Sequence, residues 1–466
     1  MQKFDSIGAT YTMSRTRVFP AFLVTALNSL FLITGSPAAA QTPSIKELLG
    51  RDEIQQAEGL LEKEPRTAQK LAFQGEIEFR KGHFDQADTL YREALKLDSK
   101  NARAHFGLGK LAMGRVKNRL AIQELSRAIE LDPKEPIYHL YASEAWGIDK
   151  KTSQQKKELE EYLRLNPNDE DRVTEAKAGL AMLKAFGSEE VGAVVAPPTP
   201  APIRFRKSLN LIFTAVMVNG KGPYQFAIDT GATQTVVSEK LAKESGLEEI
   251  TSTVVFGIGG AGKVETKLYK MKELTVGDVT VKNTPVGTFN DPLISQFADG
   301  ILGTSIFSDF IITVDYPAGQ LQLTRKRTPA PAGAEVIPVW FFSNLLLVPL
   351  EVNGKRGNFI VDTGAVTTVL SHSMAAELGV TPGTPGAKVD MGIAGVGGFE
   401  GIVLQIPKVT FKTAKNTEAF PRVVAIDLKQ ISKTIGTEVA GVAGYDFFSD
   451  YKLTLDYDAG ELRLVK

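Results

Sequence analysis

The chain has 466 residues, 54 basic against 54 acidic side chains, and no cysteine. A neutral balance gives no electrostatic reason to bind nucleic acid or an anionic membrane surface, and the missing thiols exclude a disulfide framework, a thiolate nucleophile and a lipoprotein-type anchor. The length leaves room for about two to four domains. Residues 1–40 read as a secretory signal peptide. Arg15 and Arg17 precede an apolar run from Val18 to Thr34, and Ser36 to Ala40 offers small residues for cleavage before Gln41. Met13 is an alternative start. An uncleaved anchor, the one route to membrane contact, is disfavoured by Pro20 and Asn28 inside the run. The expectation is export, and an Ala-x-Ala leader on a cysteine-free chain suits a bacterial periplasm.

Residues 44–187 switch to helical periodicity and repeat. Gly75 and Gly109, Ala87 and Ala121, Ala94 and Ala128, and Asp98 and Asp132 are each 34 residues apart, and Pro65, Ser99, Pro133 and Pro167 fall on the same grid. Small residues at fixed positions let paired helices cross closely, and the prolines mark turns into the next unit. This pattern resembles tetratricopeptide (TPR) repeats, with Leu71 to Asp98 the clearest unit. Around Lys150 to Lys156 the third repeat is degenerate, and Glu170 to Gly187 is expected to be the polar-faced helix that ends the stack. The array has two open readings: a concave surface for a protein partner or extended peptide, or a brace on the C-terminal half of the chain. Phe73, Phe79, Phe84 and Tyr91 are expected to be packing residues. Residues 188–202 are Pro-rich, which predicts a stiff linker holding the array off as a semi-independent body.

The rest of the chain is a duplication. Val218 to Lys221 and Val352 to Lys355 both read VNGK, a hairpin signal. An apolar strand then ends in Asp229-Thr230-Gly231-Ala232 and again in Asp362-Thr363-Gly364-Ala365. A short helix with a serine start and a glycine stop comes after each, then a glycine-rich segment, 257–262 or 392–398, then Ile301-Leu302-Gly303 or Val442-Ala443-Gly444. The Phe-Ser-Asp, Asp-Tyr and Ala-Gly pairs near the ends stand at one constant offset, so that Phe307 and Tyr316 answer to Phe448 and Tyr457.

Each copy resembles a retropepsin-type aspartic peptidase domain: 203–326 for the first, 336–466 for the second, with 327–335 a short linker between them. The fold expected from the resemblance is multidomain, an all-α TPR-type array followed by two tandem all-β acid-protease domains. It implies a tethered pseudo-dimer whose catalytic pair is Asp229 and Asp362, although pairing of each copy with its twin in another molecule is also compatible with the tether. It further implies that Thr230 and Thr363 brace the pair, that Gly231 and Gly364 permit close backbone approach, and that hairpin flaps carrying Gly257, Gly259, Gly260, Gly395, Gly397 and Gly398 cover the substrate. Two carboxyls sharing one proton supply both the base and the acid that metal-free peptide hydrolysis needs. Alanine after Asp-Thr-Gly, in place of a hydroxyl residue, suggests an optimum nearer weak acid than strong acid.

Asp315 and Asp456 also repeat, but each sits before Tyr and an Ala-Gly turn, so they read as hairpin residues. Asp299 faces Ala440 in the second copy, which argues against a symmetric role. Gly257, Gly259 and Gly262 imitate a nucleotide loop, yet alternating strand-like residues stand where a helix is required, and Val264 occupies the place where a P-loop needs Ser or Thr. His83, His105, His139 and His372 lack metal-ligand spacing, so no metal and no cofactor is expected. The functional expectation is an exported aspartic endopeptidase acting on peptide or protein substrates, with the repeats for docking. The alternative is a non-catalytic peptide-binding or assembly protein using the same cleft.

Overall fold

The computed structural model describes residues 43–256, 263–292, 294–307, 309–395 and 398–466. Among them, the first half is helical, from Ile45–Gly50 through the long helix Glu170–Phe186, and the second half is almost entirely strand. Helices pack within and between successive repeats as the small residues dictate. A side chain at Gly75 or Gly107 would run into the Tyr91 ring, and one at Gly109 into Leu125. Two histidines one repeat apart make the same contacts. His105 joins Glu124 (2.6 Å) and the Ser99 carbonyl (3.1 Å), while His139 joins Glu158 (2.7 Å) and the Pro133 carbonyl (3.1 Å). No helix of the described residues is long and apolar enough to cross a membrane, and the leader lies outside them.

Each copy of the duplication builds its own sheet with the same topology. The Asn-Gly turns take positive φ at Asn219 and Gly220 and at Asn353 and Gly354, as a tight hairpin with matching twist requires. In the first copy the strand Lys221–Ile228 pairs in parallel with Gly300–Leu302, which in turn runs antiparallel to Val236–Ser238. In the second, Lys355–Val361 pairs with Gly441–Ala443, which runs antiparallel to Val369–Ser371. The third sheet belongs to both copies. Its order is Glu335–Pro338, Glu461–Val465, Lys452–Asp456, Ile311–Asp315, Gln320–Thr324, Ile203–Arg204. The C-terminal hairpins therefore lie edge to edge, and the two halves pair within a single chain. Asp315 and Asp456 accept from the Ala318 and Ala459 amides at 2.9 and 3.0 Å, closing their turns.

The array does not stand off. Residues 45–466 form one compact unit, and the apolar core of the second domain runs into the helices: Phe79 and Phe84 share it with Trp340, Phe342, Leu347 and Val442. Ring centroids lie 4.4 Å apart for Phe84 and Trp340 and 5.3 Å for Phe79 and Phe342. The backbone is tied as well, since Glu438 N donates to Arg80 O (2.7 Å), Thr437 Oγ1 to Phe79 O (2.8 Å) and Asn358 Nδ2 to Gly82 O (3.0 Å). The expected spacer also differs: Ala193–Val195 is a strand paired with residues 280–282. Composition described the prolines of that segment, whereas a free sheet edge decided the backbone just before them. Helix Glu170–Phe186 keeps Glu170, Lys177 and Lys184 exposed, while its C-terminal end is engaged. Lys270 from the first copy of the duplication donates to Ala185 O (3.3 Å), pairs with Glu189 and lies 5.1 Å over the Phe186 ring.

The choice of docking face comes from the sequences of the two copies. Trp340, Phe341 and Phe342 stand on the strand beside Leu345–Val352 in the second domain, and the equivalent strand beside Leu211–Val218 reads Arg206, Lys207, Ser208. The aromatic copy is covered by helices. The basic copy is left open.

Candidate active site

Asp229 and Asp362 leave the ends of two equivalent buried strands. Their backbone amides donate to Leu302 O and Ala443 O, both at 3.0 Å, so the parallel neighbour strand extends the ladder to the aspartate itself. Beyond each aspartate the chain makes a tight turn held by the side chain. Asp229 Oδ1 accepts from Gly231 N (2.8 Å) and Ala232 N (2.9 Å), and Asp362 Oδ1 accepts from Gly364 N (2.7 Å) and Ala365 N (3.1 Å).

The two turns face each other across the copies. A Cβ on Gly231 would collide with the Asp362 carboxyl, and one on Gly364 with that of Asp229, so glycine is required by the approach. The threonines cross over. Thr230 N donates to Thr363 Oγ1 and Thr363 N to Thr230 Oγ1, both at 3.1 Å, while the hydroxyls donate to Val361 O and Ile228 O, both at 2.8 Å. Thr230 and Thr363 are buried, and every polar atom of this ring has a partner in the other half.

Each carboxyl therefore lies against the glycine that follows the other aspartate, and the two groups titrate as neighbours. Burial first, then the charge of Asp362, pushes the Asp229 carboxyl well above the ordinary carboxylate range. Burial raises Asp362 too, against hydrogen bonds from Asp229 and from the Gly364, Ala365 and Gly231 amides. Both keep part of their surface open to the cleft. Like charges this close cannot both ionise cheaply, so one proton is retained by the pair.

Further residues hold the turns, and sequence reasoning passed over them. Thr235 Oγ1 accepts from Gly303 N and Thr368 Oγ1 from Gly444 N, both at 3.1 Å. A Cβ on Gly303 would sit 2.8 Å from Ala232 O, and one on Gly444 2.7 Å from Ala365 O, which explains the glycine of the apolar-apolar-Gly segments. In the second copy Asp446 ties down Thr367 and Thr368 through hydrogen bonds of 2.8, 2.7 and 2.6 Å, where the first copy has Ser305. A signal was present, because threonine recurs six residues after each aspartate.

Two hairpins of described strands flank the glycine-rich segments. In the first, Glu248–Phe256 pairs with Lys263–Val276, and Gly257, Gly259 and Gly260 lie outside the described residues. In the second, Lys388–Gly395 pairs with Gly398–Lys412, so Gly395 and Gly398 face each other at its end and Gly397 lies outside the described residues. A strand succeeds the first segment, as alternation predicts, and the nucleotide-loop reading fails there. Asp299 accepts from Gln225 N at 2.8 Å and fixes a strand end, apart from the aspartate pair.

With this geometry in place, comparison with known proteins supplies the family. Residues 214–306 and 348–447 both match the aspartyl protease family, and residues 75–113 match the TPR repeat. The two matched segments are the two copies of the duplication. Among solved structures, the aspartic proteinase from Irpex lacteus is similar, with 14% identity and a TM-score of 0.39 over 59% of this chain and 97% of that one. No curated protein sequence matches. The aspartate of each matched segment is the one that the other segment's glycine accommodates.

Proposed function

We propose that the chain is an exported aspartic endopeptidase that hydrolyses peptide bonds with a water activated between Asp229 and Asp362. The observation that carries this reading is the pair of facing carboxyls, each lying against the glycine of the other's Asp-Thr-Gly turn and each with one oxygen committed to two backbone amides. The family match supports a peptidase hydrolase, and the symmetric turns supply a reason for two aspartates in place of one.

In this reading the ionised carboxylate takes a proton from water while its oxygen attacks the peptide carbonyl carbon. The protonated carboxyl gives its proton to the carbonyl oxygen, leaving a neutral gem-diol. The diol then returns a proton to one carboxylate, the amide nitrogen takes one from the other, and the C–N bond breaks. The pair ends with the single proton it began with, and no metal or covalent intermediate is involved. An extended substrate would lie along the hairpins Glu248–Val276 and Lys388–Lys412, adding backbone pairing to side-chain contacts.

The repeats act here as a brace that fixes the second domain and the base of the first hairpin, and partner docking is left to the helical surface the protease domains do not cover. Export rests on the leader pattern, and sequencing the mature N-terminus tests it, with Gln41 as the expected first residue. The catalytic reading is tested with Asp229→Asn and Asp362→Asn. Each is expected to abolish turnover of a peptide library while the fold persists, and a statine-type inhibitor is expected to block the wild type. Binding without turnover across about pH 4 to 8, a window around the unperturbed carboxyl value, would leave a non-catalytic peptide-binding protein.

A further inference from the structure

The two sides of the cleft that flank the aspartate pair are built from equivalent parts with opposite chemistry. On one side the turn Leu209–Asn210 of the first domain reaches the second domain's catalytic turn, where Asn210 Nδ2 donates to Val366 O at 3.3 Å. On the other side the equivalent turn of the second domain, Ser343–Asn344, reaches the first domain's catalytic turn. There Thr304 Oγ1 joins Asn344 O (3.3 Å) and Ala232 O (3.2 Å). Each wall thus combines one cross-domain turn with the residue next after its partner's Asp-Thr-Gly-Ala. One wall is Leu209 with Val366; the other is Ser343 with Thr233.

Exposure marks the apolar wall as unusual, since Leu209 is 63% exposed and Val366 44% exposed. Leu209 is also held at φ 53°, in the left-handed region that glycine and asparagine tolerate and leucine rarely adopts. Its neighbour Asn210 (φ 59°) and the equivalent Ser343 and Asn344 (φ 49° and 63°) share the conformation, so the turn geometry is common to both copies while leucine is peculiar to one. An exposed leucine in a strained conformation beside a catalytic turn is costly to the folded state by itself, and contact with a ligand accounts for it. Ser343 and Thr233 are also exposed but present hydroxyls.

We propose that Leu209 and Val366 form a subsite for a bulky apolar side chain, and that Ser343 and Thr233 form a subsite for a small or hydroxyl-bearing one. The preferred substrate is then a peptide in which such residues flank the scissile bond on opposite sides. Cleavage between the two subsites rests on the peptidase reading; the asymmetry of the walls does not.

The test uses the full chain and a mixed octapeptide library read by mass spectrometry, both for cleavage by the wild type and for retention by the Asp229→Asn variant. Leu209→Asn is the key substitution, because asparagine suits the left-handed backbone and the variant keeps its fold. It is expected to lower kcat/KM, and retention, about tenfold or more for peptides with leucine or phenylalanine at the apolar subsite, while peptides with serine or alanine there change little. Ser343→Leu with Thr233→Val is expected to admit peptides carrying bulky apolar residues on both sides. Selection of peptides with no apolar-polar asymmetry, or a Leu209→Asn profile identical to the wild type, overturns the proposal. If the wild type shows no Asp229-dependent cleavage, the peptidase reading fails, and the retained peptides alone decide the wall assignment.

Discussion

Thr313 and Thr454 are the same residue of the duplicated unit, and their hydroxyls meet at 2.9 Å across paired strands of the shared sheet. Ile312 pairs with Leu455 and Val314 with Leu453, so the register is symmetric about this contact. A pseudo-two-fold axis between the two threonines sets equivalent backbone positions of the two halves opposite each other. The crossed Thr230–Thr363 hydrogen bonds and the two mutually accommodating glycines repeat that opposition at the cleft.

The symmetry makes a quantitative statement about the threonines. Thr230→Val leaves Thr363 N and Val361 O without partners, and Thr363→Val does the same to Thr230 N and Ile228 O. Each loss strands buried polar groups at about 1–3 kcal/mol apiece. The two variants are expected to lose similar stability in urea unfolding, about 2–4 kcal/mol, and the double variant less than the sum because the four bonds form one ring. A large difference between the two single variants would contradict the pseudo-symmetry at this level.

How much of this was legible depends on where the information sits. The duplication offset is local and repeated, so the paired aspartates, their glycines and the hairpin role of Asp315 and Asp456 could be read from spacing. The docking of the helices could not, because it depends on one strand of the second copy, Trp340–Phe342, being aromatic where Arg206–Ser208 is polar, a contrast visible only once the copies are aligned upstream of their VNGK turns. The residues before the prolines at 197 and 198 read as linker by composition, yet a free strand at 280–282 pairs with Ala193–Val195. Tertiary pairing overrode local propensity there. Asp446 escaped notice for a third reason: its counterpart is Ser305, so the duplication itself argued against it.

The aspartate pair fixes a pH dependence of stability. Asp229 carries a folded-state pKa above its unfolded value near 3.9. A group shifted upward favours the folded state below its unfolded pKa, and that contribution is lost as pH rises through the folded value. Asp229→Asn cannot ionise and escapes the loss. Its unfolding midpoint is expected to match the wild type near pH 4 and to exceed it at pH 8, with activity abolished at both. A variant less stable than the wild type at pH 8 would show that the pair is not under like-charge strain.

Inside the array, Glu76 is the opposite case. Burial raises its pKa, but the charges of Arg103, Arg80 and Lys110 outweigh burial and bring it to about 2. Its carboxylate meets Arg80 at 3.2 Å and also contacts Arg103. A depressed carboxylate contributes stability above its unfolded value near 4.3 and loses it as pH falls towards 2. Glu76→Gln also leaves Lys110, already lowered to about 7 by burial beneath Phe79, without its countercharge. The expected loss is about 3–5 kcal/mol at pH 7, the cost of an uncompensated buried charge, shrinking as the wild type is titrated below pH 4. Urea unfolding of both proteins at pH 7 and pH 3 checks it.

The joint between the array and the second domain is aromatic. Phe342 is buried against Phe79 and Phe84, with Trp340 stacked on it at 6.0 Å, and a Cβ on Gly114 would overlap the Phe342 ring. Phe342→Ala removes a large buried ring at a cost of about 3–5 kcal/mol, and Gly114→Val drives a side chain into the same shared aromatic contact. If the repeats brace the second domain, both variants should show the same two signs: array and protease unfolding at separate midpoints, and proteolytic nicking in the loop before Leu428 or after Arg80. Arg206→Ala, on the equivalent open face of the first domain, should show neither. Single coincident transitions in all three proteins would mean that the helices and the sheet hold together without this contact, and the brace would have to be sought at Lys270 and the helix Glu170–Phe186 instead.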